Sequence, residues 1–169
     1  MHPYLVDFRT VMSEPQACFR MWVDADACPR DIRDLIMRAA VRKRVCAIFV
    51  ANTPMYLPEY PELRFQLVPQ GPDAADDHMV REAEPGDMAV TGDIPLAARL
   101  VEKGVLVLNP RGEELTEANI GERLAMRNLM EELRTIGQIT GGPREFSPAD
   151  RQRFANSLDR FLTRNLKKP

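Results

Sequence analysis

The sequence predicts an α/β fold, a three-layer sandwich in which a mainly parallel five-stranded sheet carries helices on both faces. Short, continuously apolar segments alternate along the chain with segments whose apolar residues recur every three or four positions. Continuous apolar runs are typical of parallel strands, which are buried on both faces. Strands that alternate with helices favour right-handed crossovers, which place the carboxyl ends of the strands at one edge of the sheet.

The first half of the chain contributes three predicted strands and one helix. Residues 19–23 form a short apolar run, and Pro29 then opens a helix that continues to about Arg42. Proline suits the first helical turn, and the following apolar residues recur with helical spacing. The second strand, 45–51, is rich in β-branched residues, and a loop with three prolines separates it from the third strand, 64–68.

The next segment continues the alternation. Asp73 is a predicted N-cap for a short helix that precedes the fourth strand, 88–91. A helix over residues 94–103 follows and is stopped by Gly104, since glycine favours helix ends. Residues 105–108 form the fifth predicted strand.

Two helices complete the predicted domain. Thr116 is the predicted cap of a helix that ends near Arg134, with these apolar residues facing inward: Ile120, Leu124, Met130 and Leu133. The last helix begins at residues 147–150, which resemble a capping box. Its predicted inward residues are Phe154, Leu158, Phe161 and Leu162. Its predicted outward residues are Arg151, Arg153, Arg160, Arg164, Lys167 and Lys168.

Composition excludes several classes of protein. The 169 residues carry 25 acidic and 23 basic side chains, a net charge of −2 that does not indicate nucleic-acid binding through bulk charge. The sequence has no apolar run of about 18 residues and therefore no predicted membrane span. Three cysteines without a CxxC motif do not form a disulfide framework. We expect a cytoplasmic protein with an extension over residues 1–20 and a single domain over residues 21–166.

The near-neutral net charge conceals an uneven distribution. Residues 1–93 hold 15 acidic and 10 basic side chains, a balance of −5, whereas residues 94–169 hold 10 acidic and 13 basic side chains, a balance of +3. An acidic segment beside a basic one predicts a metal site with a basic rim.

Carboxylates follow three of the predicted strands at the edge where the strands end. Asp24 and Asp26 follow the first strand, and their spacing points both side chains the same way on an extended chain. Asp93 follows the fourth strand, and the segment after the third strand contributes Asp73, Asp76 and Asp77. Clustered carboxylates require a cation, a raised pKa or separation. Oxygen ligands of this kind are preferred by Mg²⁺ and Mn²⁺.

Several of these polar residues also have a simpler structural interpretation. Asp73 and Asp93 precede helices and would serve as N-caps. Asn52 and Asn109 fall at strand ends, where either would orient a substrate. Arg111 lies in a turn near the same edge, where it would meet a phosphate or remain solvated.

Four motifs together resemble the bacterial YaiI/YqxD family. They are W-V-D-A-D-A-C-P at 22–29, T-G-D-I-P-L-A at 91–97, L-N-P-R-G-E at 108–113 and T-G-G-P at 140–143. The motifs occur in the family's order, and the resemblance covers about residues 21–166. The extension before Met21 departs from the usual start of the family and has no predicted role.

The resemblance implies a PIN-like domain, related to metal-dependent nucleases. Such nucleases place an Asp after the first strand, acidic residues at a central helix and an Asp after the fourth strand. Asp24, then Asp76 or Asp77, and then Asp93 match this pattern.

The favoured hypothesis is a Mg²⁺- or Mn²⁺-dependent nuclease that hydrolyses phosphodiester bonds, with RNA preferred to DNA as its partner. Its candidate catalytic residues are Asp24, Asp76 and Asp93. Its candidate metal ligands are Asp24, Asp26, Asp76, Asp77 and Asp93. Its candidate substrate contacts are Asn52, Thr91, Asn109 and Arg111.

Two alternatives belong to other functional classes. One is a non-catalytic module that binds a metal, a nucleotide or RNA through the acidic cleft. The other is a phosphatase of the haloacid dehalogenase type, because D-A-D after an apolar strand resembles the D-x-D segment whose first Asp is a nucleophile. Against the phosphatase, none of the four lysines follows a matching strand, and Ala97 stands where a second acid is required.

Overall fold

The computed structural model describes residues 19–142 and 144–166. Six strands form one sheet: β1 (Arg20–Asp24), β2 (Cys46–Ala51), β3 (Leu63–Leu67), β4 (Met88–Val90), β5 (Leu106–Leu108) and β6 (Glu114–Leu115). Five helices lie within the same ranges: α1 (Arg30–Lys43), α2 (Ala74–Glu82), α3 (Ile94–Glu102), α4 (Ile120–Thr135) and α5 (Pro148–Leu166). The α/β class predicted from the alternation of apolar runs is confirmed.

The sheet is mainly parallel but has one strand more than predicted. Its strand order is β3-β2-β1-β4-β5-β6, and the first five strands in this order pair in parallel. The extra strand, β6, is antiparallel to β5 and pairs Leu115 with Val107. A strand of two residues is too short to show a hydrophobic period, so the five-stranded prediction is corrected to six.

Helices cover both faces of the sheet, because alternate strand residues point to opposite sides. Met21 and Val23 of β1 enter a core shared with α1 and α5. Trp22, between them, enters the opposite core, which is shared with α2 and α3. The predicted three-layer sandwich is therefore present.

The order of the strands creates a crevice at the carboxyl edge between β1 and β4. From β1 the chain proceeds through β2 to β3 on one side, whereas β4 and β5 lie on the other side. Val23 of β1 is paired with Val90 of β4, so these two strands end beside each other. Ligands of open parallel sheets bind at such a reversal of strand order.

Helix α4 differs from its prediction at its start and on its surface. It begins at Ile120 with Asn119 at the N-cap position, and the Asn119 side chain accepts a hydrogen bond from the Thr116 backbone at 2.8 Å. No residue of α4 is buried, and Met130 is 38% exposed, so its predicted inward position is wrong. The reason is that α4 packs along α3, and no element within residues 19–142 and 144–166 covers its other side.

Helix α5 agrees with its prediction. Its four predicted inward residues are buried, and Ser147 and Asp150 exchange the hydrogen bonds of a capping box. Lys167, Lys168 and residues 1–18 of the predicted extension lie outside the described residues. Among the helices that the structure describes, none combines the length and the apolar character needed to cross a membrane.

Candidate functional site

Asp24 ends β1 with its carboxylate buried at the crevice. The residue is 5% exposed, and its Oδ2 accepts a hydrogen bond from the Thr91 hydroxyl at 3.0 Å. Burial raises the pKa of Asp24, the Thr91 hydrogen bond opposes this, and the nearby Asp93 and Asp26 carboxylates raise it further. A buried carboxylate that other carboxylates approach is costly for stability and is therefore a candidate for function.

Thr91 connects the two carboxylates that flank the crevice. It follows β4, is completely buried, and its hydroxyl accepts the backbone N–H of Asp93 at 3.0 Å while donating to Asp24. Asp93 Oδ1 accepts the backbone N–H of Leu96 at 3.1 Å, so Asp93 is also the N-cap of α3. Its Oδ2 accepts no hydrogen bond from residues that the structure describes. The Thr91 hydroxyl therefore positions the Asp24 carboxylate directly, and it positions Asp93 through the backbone N–H of Asp93.

The three acidic residues at the start of α2 lie in different surroundings. Asp73 occupies the N-cap position, but its side chain makes no capping hydrogen bond. Asp76 is half-buried, and desolvation together with the Asp93, Asp24 and Asp73 carboxylates raises its pKa to about 6, although Arg99 opposes the shift. Asp77 is exposed and accepts a hydrogen bond from Arg99 at 3.0 Å. The structure therefore brings Asp76, and not Asp77, towards Asp24 and Asp93.

Asp26 joins two loops at the same edge of the sheet. It lies in a single 3₁₀ turn, Ala25–Ala27, and its Oδ2 accepts the backbone N–H of Asn52 at 2.9 Å. The Asn52 carbonyl in turn accepts the Gln70 side chain at 2.9 Å, while Asn52 Oδ1 accepts the Thr53 hydroxyl. The predicted roles of Asp26 as a metal ligand and of Asn52 as a substrate contact stay predictions.

The turn after β5 contains the other two predicted substrate contacts. Asn109 Oδ1 accepts the backbone N–H groups of Arg111 and Glu113, both at 3.0 Å, and so holds the shape of the turn. Arg111 donates to Asp150 at 2.8 Å and to the carbonyl of Arg144. Asn109 and Arg111 also line a concavity of about 290 Å³. Their contact with a substrate stays a prediction.

Asp150 binds three arginine side chains, and this role was not predicted from the sequence. It is completely buried and receives hydrogen bonds from three guanidinium groups, those of Arg111, Arg144 and Arg153. The Arg144 hydrogen bond, followed by those from Ser147 and Arg153, holds the pKa of Asp150 well below its usual range against the effect of burial. Its only sequence signal was the capping box, because Arg111 lies 39 positions earlier in the chain.

The donor set at the crevice fits a hard divalent cation. In the part of the chain that the structure describes, no three Asp, Glu, His or Cys side chains are arranged so that they jointly hold a metal ion. Mg²⁺, however, is commonly bound by one or two protein carboxylates, with water and substrate phosphate as its other ligands. Asp24 and Asp93 meet that requirement, and a cation would relieve the repulsion that raises the pKa values of Asp24 and Asp76.

Replacing Asp76 with Asn should stabilise the metal-free protein more at pH 7 than at pH 5. The pKa of Asp76 is about 6 in the folded protein and about 4 in an unfolded chain, so its ionisation destabilises the fold as pH rises through this window. The comparison of thermal unfolding in EDTA at both pH values measures the effect. Subtracting the wild-type value at each pH removes the contribution of other titrating groups, such as His78, whose pKa is lowered by burial.

The matched control is Asp77→Asn, which removes an exposed carboxylate from the adjacent position of the same helix. The change in stability effect between pH 5 and pH 7 should be larger for Asp76→Asn than for this control. An Asp76→Asn change no larger than that of Asp77→Asn would contradict the electrostatic description of the crevice.

Comparisons with known proteins agree with the motif resemblance. The family model described as "Uncharacterized BCR, YaiI/YqxD family" matches residues 22–164. A UPF0178 protein of Myxococcus xanthus (strain DK1622) is 55% identical over 148 residues, which is 88% of this chain and 97% of the relative. A UPF0178 protein of Marinobacter nauticus is 51% identical over 148 residues, 88% of this chain and 99% of the relative. No solved structure matched the chain.

Proposed function

Since the chain belongs to the YaiI/YqxD family, and two of the motifs that resemble this family hold Asp24 and Asp93 of the crevice, we propose that it is a divalent-metal-dependent nuclease. Its reaction would be the hydrolysis of phosphodiester bonds, with RNA preferred to DNA. One observation carries the proposal: Asp24, Asp76 and Asp93 come from three separate elements, and the Asp93 carboxylate raises the pKa of both Asp24 and Asp76 at one crevice. The resemblance to PIN-like nucleases supports it and stays a prediction.

The residues of the crevice would have different roles in such a reaction. Asp24 and Asp93 would hold the ion, and the Thr91 hydroxyl keeps the Asp24 carboxylate in place. A divalent ion bound there would lower the pKa of a water and stabilise charge on the phosphate. Asp76, half-buried beside these two carboxylates, is the candidate to accept a proton from that water.

The haloacid dehalogenase alternative receives no support from the described lysines. Lys103 donates to the backbone carbonyls of Val80 and Arg81, and Lys43 ends α1 at the edge of the sheet away from the crevice. Asp26, the second acid of the D-x-D segment, already accepts a hydrogen bond from the backbone N–H of Asn52. The non-catalytic module remains the alternative, since no three side chains among the described residues form a ready-made metal site.

Mn²⁺ should bind the wild-type protein in a saturable manner, and the affinity should fall about tenfold or more in Asp93→Asn. Asn preserves the N-cap of α3, so this change removes charge without removing the cap. Binding should also weaken at pH 5, because protons compete with the metal for carboxylates. Calorimetric titration measures both effects, and Asp77→Asn is the control.

Hydrolysis of a labelled single-stranded RNA in Mn²⁺ and in EDTA completes the test. The proposal expects cleavage that depends on Mn²⁺ and is absent in EDTA. Metal binding without any cleavage of RNA or DNA would overturn the nuclease and favour the non-catalytic module. Absence of binding at millimolar Mn²⁺ would overturn the nuclease and leave only a module that binds a nucleotide or RNA without a metal.

A further inference from the structure

A concavity of about 390 Å³ lies between α1 and the loop that follows β2. The first turns of α1 form one wall and include Arg30 and Arg33. The loop forms the other wall and includes Tyr56. Neither the sequence motifs nor the proposed hydrolysis assigns a role to these three residues.

Both walls of the concavity start at the carboxyl edge of the sheet. The hydrogen bond from the Asn52 backbone to Asp26 ties the segment that leads into α1 to the loop after β2. Arg30 comes four positions after Asp26 in the sequence, and Tyr56 comes four positions after Asn52. The concavity therefore opens beside the edge that carries the catalytic candidates.

Cys28 lies within electrostatic range of the crevice and of Arg33. Burial raises the pKa of the Cys28 thiol to about 12, the Arg33 cation lowers it, and the Asp24 carboxylate raises it. Cys28 is buried, and Arg33 and Asp24 both lie near this one side chain.

The Arg33 guanidinium has unused hydrogen-bonding capacity. It makes no hydrogen bond or ion pair within residues 19–142 and 144–166, and its Nε is shielded from solvent without an acceptor. Shielded polar groups in folded proteins nearly always have a partner. Carboxylate and phosphate oxygens are the strong acceptors for a guanidinium group. Arg33 therefore points to an anionic ligand in the concavity.

Tyr56 supplies an aromatic surface at the opposite wall. The residue is 86% exposed, although large aromatic residues usually bury most of their area. Pro54 and Pro58 flank it and restrict the backbone of the loop that carries it. A restrained and exposed aromatic ring is a platform on which a base can stack.

The charge of the concavity also favours an anion. Asp34 lines it together with Arg30 and Arg33, so its walls carry two positive charges and one negative charge. The crevice holds the carboxylates of Asp24, Asp76 and Asp93. A ligand with a phosphate at the arginines would thus extend from a positive subsite towards the acidic edge.

We propose that this concavity binds one nucleotide of a single-stranded nucleic acid, with its phosphate at Arg30 and Arg33 and its base stacked on Tyr56. The proposal rests on the proposed nuclease function and specifies its substrate, because a base within a duplex is not free to stack on a side chain. Stacking accepts every base, so binding should show little preference for sequence.

Fluorescence anisotropy with a labelled oligouridylate of about ten nucleotides tests the proposal on the full chain. Binding is measured in EDTA, in which the proposed metal-dependent hydrolysis does not consume the probe. Arg33→Gln and Tyr56→Ala should each weaken binding about tenfold, whereas Tyr56→Phe should bind as wild type does. Arg33→Gln should also reduce the slope of the logarithm of the binding constant against the logarithm of salt concentration by about one. Tyr56→Ala should leave this slope unchanged.

The controls separate this subsite from general electrostatics and from misfolding. Arg38→Gln removes another exposed arginine of α1 that lines a different concavity, and Tyr60→Ala removes the other exposed tyrosine of the same loop. Both should bind as wild type does. Arg33→Lys, which keeps the charge, should keep the salt dependence and lose the gain in affinity that a bidentate contact provides. Three results would each overturn the proposal. They are unchanged affinity in Arg33→Gln and Tyr56→Ala, a loss of affinity in the controls equal to that in these variants, and no binding by the wild-type protein.

Failure of the subsite and failure of the nuclease are distinguishable. Binding that depends on Arg33 and Tyr56, in a protein that cleaves nothing, keeps the subsite and overturns the nuclease. Cleavage of RNA that is indifferent to both substitutions keeps the nuclease and overturns the subsite.

Discussion

Replacing Asp24 with Asn should reduce Mn²⁺-dependent hydrolysis of RNA by about 100-fold or more. The change removes the most deeply buried charge of the crevice but keeps the shape of the side chain and an oxygen that accepts from the Thr91 hydroxyl. The rate of cleavage of a labelled single strand, at saturating Mn²⁺, measures the effect. Wild-type activity in this variant would remove Asp24 from the proposed site.

The stability of the same variant distinguishes a chemical loss from a folding defect. Burial raises the pKa of Asp24, so the ionised carboxylate destabilises the fold at neutral pH. Asp24→Asn should therefore unfold in EDTA at a temperature equal to or higher than that of wild type. Asp77→Asn, whose carboxylate pairs with Arg99, should retain both activity and stability. Lost activity together with a lower unfolding temperature would contradict the assignment of Asp24 as a metal ligand.

The largest loss of stability is expected from Gly112→Ala. Gly112 has a φ of +91°, and a Cβ there would lie 2.7 Å from the carbonyl carbon of Arg153 and 2.8 Å from the backbone nitrogen of Phe154. Helix α5 cannot withdraw easily, because Phe154 is completely buried and the Ser157 hydroxyl donates to the Gly112 carbonyl at 2.7 Å. We expect a loss of about 3 kcal/mol or more, or about 10 °C in the unfolding temperature.

Gly121→Ala is the matched control for this effect. Gly121 lies in the first turn of α4, and a Cβ there meets no atom within 4 Å. Alanine is the better helix former, so this variant should gain about 0.5 kcal/mol. Urea denaturation of both variants measures the difference. A Gly112→Ala protein as stable as Gly121→Ala would contradict the close approach of the turn to α5.

The fold and the edge of the candidate site could be predicted because both depend on local patterns. The continuously apolar run that became β2 and the spacing of Ile32, Ile36 and Ala40 in α1 are visible in the sequence. Parallel strands end at one edge, so Asp24 and Asp93 could be expected near each other once β1 and β4 were identified. The motifs around them were sufficient to indicate the family.

Residues that depend on distant contacts could not be predicted in this way. Met130 has the helical spacing of a core residue, but α4 is covered only where it meets α3, so the side chain is exposed. Arg111 appears in the sequence as a turn arginine, whereas its guanidinium is bonded to Asp150, 39 positions later. Charge and periodicity along the chain hold no information on these pairings.

The sequence by itself determined the class of fold, the edge at which carboxylates collect and the family to which the chain belongs. Only the tertiary structure decided which carboxylate of α2 faces the crevice. Asp76 and Asp77 are neighbours in the sequence, but successive helical residues point about 100° apart, so packing on the sheet turns Asp76 to the crevice and leaves Asp77 to Arg99. The same packing places Arg33 of α1 and Tyr56 of the loop after β2 at one concavity, because contacts between separate elements arise only when the sheet assembles.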